Sequence, residues 1–428
     1  MLKASVGGVF AAPASLYRHA LPSLITSLFG PLDARPGWSS LTLALAAVLM
    51  SLDPAPTLAQ RFESVLGVLD RVLPRRRRTG RTYQGFIKAL LRSESLTHQI
   101  TKQLRARAVA AAGRALRIGQ WIPIGVDGSK VDAPRTIANE ALGFVGKDKC
   151  GPQMVLLLLM HLGAMLPWGW AVGNARESER TLLHRVIGDL PERTLLVADA
   201  GFTGYQFLRT LQAHGVHFLV RVGRNVRLLR QLGCSAREGT HTVYLWPDSF
   251  RNEPPLKLRL IRVGSAYLIT DVLDPRALSK GAACELYRRR WGLELAFRAF
   301  KQTLERRMVR SCTPAKARLE LAWSVLGMWV LTLLGAHAIH AAGHGPSMLS
   351  VASALKAVRS AMLRDPSRVT LMRRLRGCVL EPIRKTCKTA YRWPHKKNPQ
   401  PPGAPIIATA TIAQISRAKA LAHQSHAE

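Results

Sequence analysis

The segment Tyr287 to Lys301, YRRRWGLELAFRAFK, constrains this chain more than any other. It holds no Pro and one Gly, and Leu286, Leu293, Phe297, Phe300 and Leu304 recur in and around it at helical spacing. The pattern predicts one continuous helix. Its polar residues Tyr287, Arg290, Glu294 and Lys301 follow one another at steps of three, four and seven. At about 100° per residue, all four fall within roughly 60° of arc. One narrow stripe therefore carries a phenol, a guanidinium, a carboxylate and an ammonium, a set suited to an anion with a metal beside it.

The charge balance says which anion. The 428 residues carry 62 Lys and Arg against 26 Asp and Glu, a formal net charge of +36, spread along the whole length. That balance favours a polyanion partner, most simply nucleic acid. Acids are scarce, so an Asp or Glu in an apolar setting is informative: a buried carboxylate must be paired or bind a cation. Cys150, Cys234, Cys284, Cys312, Cys378 and Cys387 form no CxxC and no Cys/His metal spacing, which suits a reducing compartment. Residues 41–50 are too short to span a membrane. Residues 321–336 are nearly long enough, but Arg318 and Glu320 at one end and His337 and His340 at the other favour a buried core helix. The N-terminus makes a poor signal peptide. The expectation is a cytoplasmic protein without a membrane partner.

Residues 1–118 read as helical and basic, with Phe62, Leu66, Leu69 and Leu73 at helical spacing and a run Arg75 to Arg78 that suits a DNA-binding region or a solvated linker. From 119 the texture changes. A short strand, Trp121 to Val126, ends in Asp127; Met154–Leu162 and Leu166–Val172 read as its neighbours. A helix from Ser178, a buried strand Thr194–Ala198 ending in Asp199, a helix Tyr205–His214 and a strand Val216–Val222 follow. Open α/β sheets place sites at the carboxyl ends of strands, so the two Asp can converge if their strands are neighbours. Residues 223–275 lack a helical period and read as a β-rich insertion, with Leu256–Leu260 alternating as a half-exposed strand. The signature segment lies in 276–345. Residues 346–428 continue helical to about 380 and end in a basic, Pro-rich tail expected to be extended or disordered.

Asp127, Asp199 and Glu294 are hard oxygen donors of the kind that suits Mg²⁺ or Mn²⁺. Two such ions can activate a water or a 3′-hydroxyl and stabilise the leaving oxygen in phosphoryl transfer. Arg290 and Lys301 would bind phosphate, the first by its fork and the second as a point charge, and Tyr287 can donate to a phosphate oxygen or stack. Each acid also has an ordinary reading. Asp127 can be a turn residue before Gly128, Asp199 can cap the next turn, and Glu294 can pair with Arg290 four residues away. Asp132 is a rival first ligand. Trp246 reads first as a packed strand aromatic and second as a ring to stack on an extruded base; Trp291 reads as core. His161, His184, His214 and His217 are scattered and receive no role.

The spacing Tyr287-x2-Arg290-x3-Glu294-x6-Lys301 resembles, without a gap, the Y-R-E-K signature of IS4-type DDE transposases. Val126-Asp127-Gly128-Ser129 resembles that family's first-Asp motif and Val197-Ala198-Asp199-Ala200-Gly201-Phe202 its second, with Ala200 where the family often has a larger residue. The resemblance covers about residues 119–305. It implies an α/β fold: an RNase H-like mixed sheet flanked by helices, with the β-rich insertion at 223–275 and helical regions at both ends. It further implies Asp127, Asp199 and Glu294 as ligands of two Mg²⁺ or Mn²⁺ ions, and Tyr287, Arg290 and Lys301 as contacts to DNA phosphates. The activity implied is cleavage and strand transfer at the ends of an insertion sequence. The partners implied are DNA with terminal inverted repeats, target DNA and a second copy of the chain. Two other readings stay open: a non-catalytic nucleic-acid-binding protein on a decayed nuclease fold, and an RNase H-like nuclease without strand transfer.

Overall fold

The computed structural model describes residues 19–34, 37–73, 79–146, 151–233, 238–380 and 403–424. Arg75–Arg78, Cys150, Cys234, Cys387 and the prolines from Pro394 to Pro402 lie outside the described residues.

Five helices come first: α1 (Ala20–Leu28), α2 (Ser40–Leu52), α3 (Leu58–Val72), α4 (Tyr83–Leu91) and α5 (Glu94–Ala112). Three of them, α2, α3 and α4, are capped locally at their starts. Thr57 and Gln60 form a reciprocal capping box on α3, and the side chains of Ser39 and Thr82 accept from Thr42 N and Gly85 N. Strands β1 (Ile122–Asp132), β2 (Gln153–His161) and β3 (Leu166–Asn174) then form an antiparallel meander, followed by α6 (Glu179–His184), β4 (Thr194–Ala198), α7 (Tyr205–Ala213) and β5 (His217–Val222). The insertion supplies β6 (Arg227–Arg230), β7 (Thr242–Leu245), β8 (Leu256–Val263) and β9 (Ala266–Thr270). The signature segment gives α8 (Lys280–Arg289) and α9 (Trp291–Arg298), and the chain closes with α10 (Pro314–His340), α11 (Val351–Arg364), α12 (Arg368–Arg376), β10 (Ile406–Thr409) and α13 (Ile412–Gln424).

Among the described residues, the ten strands make one mixed sheet in the order β10-β6-β7-β8-β9-β5-β4-β1-β2-β3. Strands β1, β4 and β5 are parallel neighbours, with α6 and α7 in their crossovers. This is the RNase H-like mixed sheet flanked by helices that the motifs imply. The insertion extends it: β9 pairs antiparallel with β5, so the added strands grow from the core edge.

Both faces of the central strands are buried, which is why their sequences run apolar instead of alternating. In β2, Met154, Leu156, Leu158 and Met160 enter a helical core, while Val155, Leu157 and Leu159 enter the core under α6 and α7. The helical core joins α1–α5 to α10–α12, so the N-terminal helices are welded to the C-terminal ones through it. Its axis is α10, which opens with Pro314 in its first turn and is buried from Trp323 to Ala336. By length and composition α10 is able to cross a membrane, yet 83% of its apolar window is buried inside the protein.

Three expectations need correction. The first strand does not end at Asp127; β1 runs on to Asp132, because Asp127–Asp132 stay paired with Leu158–Gln153 of β2. The Gly-Ser pair that looks like a turn lies within the strand. Strand β8 is not half-exposed: Arg259 is 7% exposed and donates to the Leu278 carbonyl below it. The described part of the tail is ordered. Ile406–Thr409 add to the sheet beside β6, and Arg417 of α13 donates to the Arg251 carbonyl.

Candidate active site

Register alone brings three polar residues together. Gly125 pairs with Val197, and Ala198 with Val220. Carrying each register on by one or two residues sets Asp127, Asp199 and Arg221 level across β1, β4 and β5. Their neighbours Val126, Ala198 and Val220 lie in the core under α6 and α7, so by strand alternation the polar three face the other side, toward α8 and α9.

The signature segment closes on that row, but not as one helix. It breaks at Arg290 between α8 and α9, and residues Ala299–Thr303 form a π turn. Two glycines let α9 lie close to the sheet. A Cβ on Gly125 would meet Leu293 Cδ1 at 2.9 Å, and one on Gly292 would meet Met165 Cε at 2.0 Å. Leu293 is fully buried, which orients Glu294 one residue on. Arg290 Nη1 lies 3.6 Å from Asp127 Oδ2, and its Nη2 donates to Glu294 Oε1 at 3.2 Å. The Tyr287 hydroxyl donates to Asp199 Oδ1 at 3.3 Å, and Arg221 Nη1 is 3.7 Å from the same oxygen. The Arg290 guanidinium also sits over the Tyr287 ring at 5.4 Å. Asp127 and Asp199 each accept from the next backbone N–H, at 2.9 and 2.8 Å.

The electrostatics are those of a site short of cations. Burial pushes the Asp127 carboxyl above its ordinary value; the Gly128 N–H and Arg290 oppose this, while Asp199 and Glu294 add to it. Burial, then the Asp199 charge, raises the Tyr287 phenol. Arg290 is 7% exposed, and the Nε atoms of both Arg290 and Arg221 are buried without an acceptor among the described residues.

Lys301 does not join this group. The π turn turns it away from the stripe that ideal helical spacing predicts, since its wider hydrogen-bond ring adds a residue per turn. The charges that act on Lys301 are Asp132 and Arg307. Asp132, the rival first ligand, is five residues along β1 from Asp127 and accepts from Gln153 Nε2. Trp291 is 53% exposed on α9 and is not core. Trp246 is the packed aromatic: it is 2% exposed, donates to the Phe250 and Glu253 carbonyls, and lies under Arg251.

Two residues beside the acids escape the sequence reading. Arg221 interrupts the apolar run Phe218-Leu219-Val220, a signal visible in retrospect. Glu179 follows the cap residue Ser178 at the start of α6, where an acid is ordinary, and gives no signal. Yet Asp127 and Asp199 are the charges that act on it.

The donors suit a divalent cation in kind: carboxylate oxygens round a partly dry pocket, with Arg290 as the cation beside Asp127. As they stand, no three His, Cys, Asp or Glu side chains among the described residues are gathered closely enough to hold a metal ion. The Arg290 guanidinium occupies the space between Asp127 and Glu294 instead.

The strand register thus sets two acids level on adjacent parallel strands, and a segment bearing a third acid packs over them. Comparison with known proteins shows what the chain is similar to. Residues 124–331 match the model of the transposase DDE domain. The chain is 28% identical over 249 residues to the transposase InsG for insertion sequence element IS4 of Escherichia coli (strain K12), covering 53% of this chain and 55% of that protein. It thus spans about half the length of the curated relative it matches. Residues 124–331 are thus similar to the transposase DDE domain, and the chain is similar to a transposase of an IS4 element. Among solved structures, the piggyBac transposase synaptic complex with hairpin DNA aligns over 85% of this chain and 76% of that one, with a TM-score of 0.39 and 10% identity.

Proposed function

We propose that this chain is a metal-dependent transposase that cleaves DNA at the terminal inverted repeats of an insertion sequence and joins the freed ends to target DNA, acting as a dimer on that DNA. One observation carries the reading: the strand register levels Asp127 with Asp199, and Arg290 and Tyr287 tie Glu294 and the signature segment to that row. Asp127, Asp199 and Glu294 would hold two Mg²⁺ or Mn²⁺ ions. Such ions activate the attacking water or 3′-hydroxyl and neutralise charge on the phosphate under attack.

The remaining steps fall to the chain itself. Arg290 presents a buried fork with a free Nε, and Arg221 a second free Nε; both can grip the non-bridging oxygens of the scissile phosphate. Tyr287, whose phenol burial keeps protonated, donates rather than accepts near the same phosphate. With DNA bound, Arg290 would exchange its carboxylate partners for phosphate oxygens, leaving Asp127 and Glu294 as residues that would hold the metal. Lys301 would contact DNA further along the strand, on the side of Asp132.

The non-catalytic reading draws on one observation, the guanidinium seated between Asp127 and Glu294. One experiment separates them. Full-length protein with Mg²⁺ or Mn²⁺ should nick DNA bearing the element's own terminal repeats, and Glu294→Gln should abolish nicking while DNA binding persists. A Glu294→Gln protein that cuts as fast as the unaltered chain overturns the assignment.

A further inference from the structure

We propose that α12 is an element with which this chain reads base sequence, laid in the major groove of duplex DNA; the inference rests on the terminal-repeat reading above. The ground plan is two helices joined by a turn of three residues. Helix α11 ends at Arg364, the turn is Asp365-Pro366-Ser367, and α12 begins at Arg368. The turn is held from several sides. Asp365 stands in the left-handed region at φ 43°, which Asp tolerates better than most side chains, and Pro366 cannot continue α11. Arg71 of α3 donates to the Met362 and Leu363 carbonyls at the end of α11, at 2.6 and 3.3 Å, and His19 pairs with the Asp365 carboxylate. Ser367 Oγ accepts from Thr370 N at 3.2 Å and starts α12. At the other end of the pair, Ser350 N donates to Cys378 O at 2.9 Å and Leu380 N to Met348 O at 2.7 Å. The fold itself therefore fixes how α12 lies.

One face of α12 is used for that. Leu371 and Leu375 are fully buried in the helical core, and α12 packs against α1, α10 and α11. The opposite face is bare. Val369, Arg373 and Arg376 are exposed, Val369 at 78%, and at about 100° per residue they fall within roughly 60° of arc. Arg368, also exposed, precedes them. Arg374, round the helix, donates to Ser360 Oγ; among the described residues no hydrogen bond or ion pair engages the guanidiniums of Arg368, Arg373 and Arg376.

Acids that would neutralise this face are missing. Asp365 is the only Asp or Glu from residue 321 to residue 380, and His19 holds it. A solvated basic face interleaves the two signs, as α8 does with Glu285 beside Arg288 and Arg289. Uncompensated arginines call for a polyanion, and the valine among them says which surface of it. Phosphates have no use for an exposed aliphatic group, whereas the major groove offers one a thymine methyl and offers an arginine fork the O6 and N7 of guanine. That groove, about 12 Å wide, admits an α-helix. With α12 in it, α11 would cross the sugar–phosphate backbone, as the first helix of such a pair does, with exposed Arg364 at its end.

Two duplexes test this with the full-length chain: one carries the element's terminal repeat, the other the same bases scrambled. Fluorescence anisotropy at one salt concentration, with divalent metal left out so that nothing is cut, gives both affinities. Arg373→Gln and Val369→Ala probe the bare face. Arg374→Gln removes the same charge from the same helix and is the reference, and melting establishes that all three fold. In Arg373→Gln, affinity for the repeat should fall about 10–100-fold while the scrambled duplex stays within about threefold, so that discrimination is lost. Val369→Ala should lose discrimination in the same direction and supplies the answer if Arg373→Gln does not fold; Arg374→Gln should keep it. If the unaltered chain prefers the repeat and both face variants prefer it equally well, or weaken on both duplexes alike, α12 reads no bases: the inference falls and the proposed function stands. An equal loss of discrimination in Arg374→Gln overturns it too, since the effect then belongs to no one face. If the unaltered chain binds the two duplexes alike, the terminal-repeat reading and this inference fall together.

Discussion

The two ends of the signature segment start from the same sequence pattern and reach different places. Tyr287, Arg290 and Glu294 close on the row of Asp127 and Asp199. Lys301, on the same ideal stripe, lies instead among Asp132 and Arg307, at the other end of β1. What separates them is hydrogen-bond register. The three-and-four spacing holds while the backbone stays close to α-helical, and the π turn at Ala299–Thr303 spoils the last step.

The largest effect should separate the acids of the two ends. Asp127→Asn, Asp199→Asn and Glu294→Gln are each expected to slow metal-dependent nicking by at least about 10³-fold, roughly 4 kcal/mol of barrier. Asp132→Asn, which keeps an oxygen for Gln153 and removes a charge that acts on Lys301, should stay within about threefold. Single-turnover nicking rates at saturating Mn²⁺ check this. Equal losses at Asp132 and Asp127 would erase the distinction between the ends.

The next effect is on stability. Arg290→Ala leaves Asp127 without its cation in a setting where burial already disfavours its charge. Removing one partner of a buried pair costs several kcal/mol; because Asp127 and Glu294 are 24% and 36% exposed, about 1–3 kcal/mol is expected here. Mn²⁺ should restore much of that loss, since it supplies the missing positive charge. Chemical denaturation with and without Mn²⁺ measures both, and a loss that Mn²⁺ leaves untouched would mean the acids do not share a cation.

Much of this was legible in the chain, for identifiable reasons. Met154–Leu162 and Thr194–Ala198 declare buried strands because both their faces are covered, and Asp199 follows from strand-end logic, whereas Asp127 lies inside β1. Helical spacing placed Tyr287, Arg290 and Glu294 on one face, and they do meet. What stayed hidden depends on three-dimensional pairing. The continuation of β1 past Gly128 requires β2 to be beside it, and Arg259 and Trp291 exchange inside for outside according to which helices cover them. The return of Ile406–Thr409 to the sheet requires a strand from far upstream. Glu179 was invisible because its relation to Asp127 runs through the absence of a side chain at Gly128.

A smaller effect probes how α9 is held. Gly292→Ala puts a methyl 2.0 Å from Met165 Cε, a flexible terminus that can yield. Overpacking of this kind costs about 1–3 kcal/mol, here toward the low end. The shift moves Glu294 relative to Asp127, so nicking should fall further than stability alone explains, while Lys301-dependent DNA binding stays put. Comparing nicking with DNA affinity in this variant tests whether the two ends move independently.

The smallest effect belongs to Lys301. Burial holds its ammonium below the ordinary range, with Asp132 opposing and Arg307 adding to the shift. A group whose folded value is depressed gives stability that is present above its unfolded value, near 10.4, and lost as pH falls through the folded value. At neutral pH the charged Lys301 therefore works against folding. Lys301→Met keeps the stem and removes that charge, so it should stabilise the DNA-free protein by less than about 1 kcal/mol at pH 7, with the gain shrinking as pH approaches 10. The same variant should weaken DNA binding and flatten its salt dependence by about one unit of slope while leaving Mn²⁺ affinity unchanged. Denaturation at pH 7 and 10, with DNA binding at two salt concentrations, decides it. A Lys301→Met protein that loses Mn²⁺ affinity instead would place the lysine back with the acids and undo the separation of the two ends.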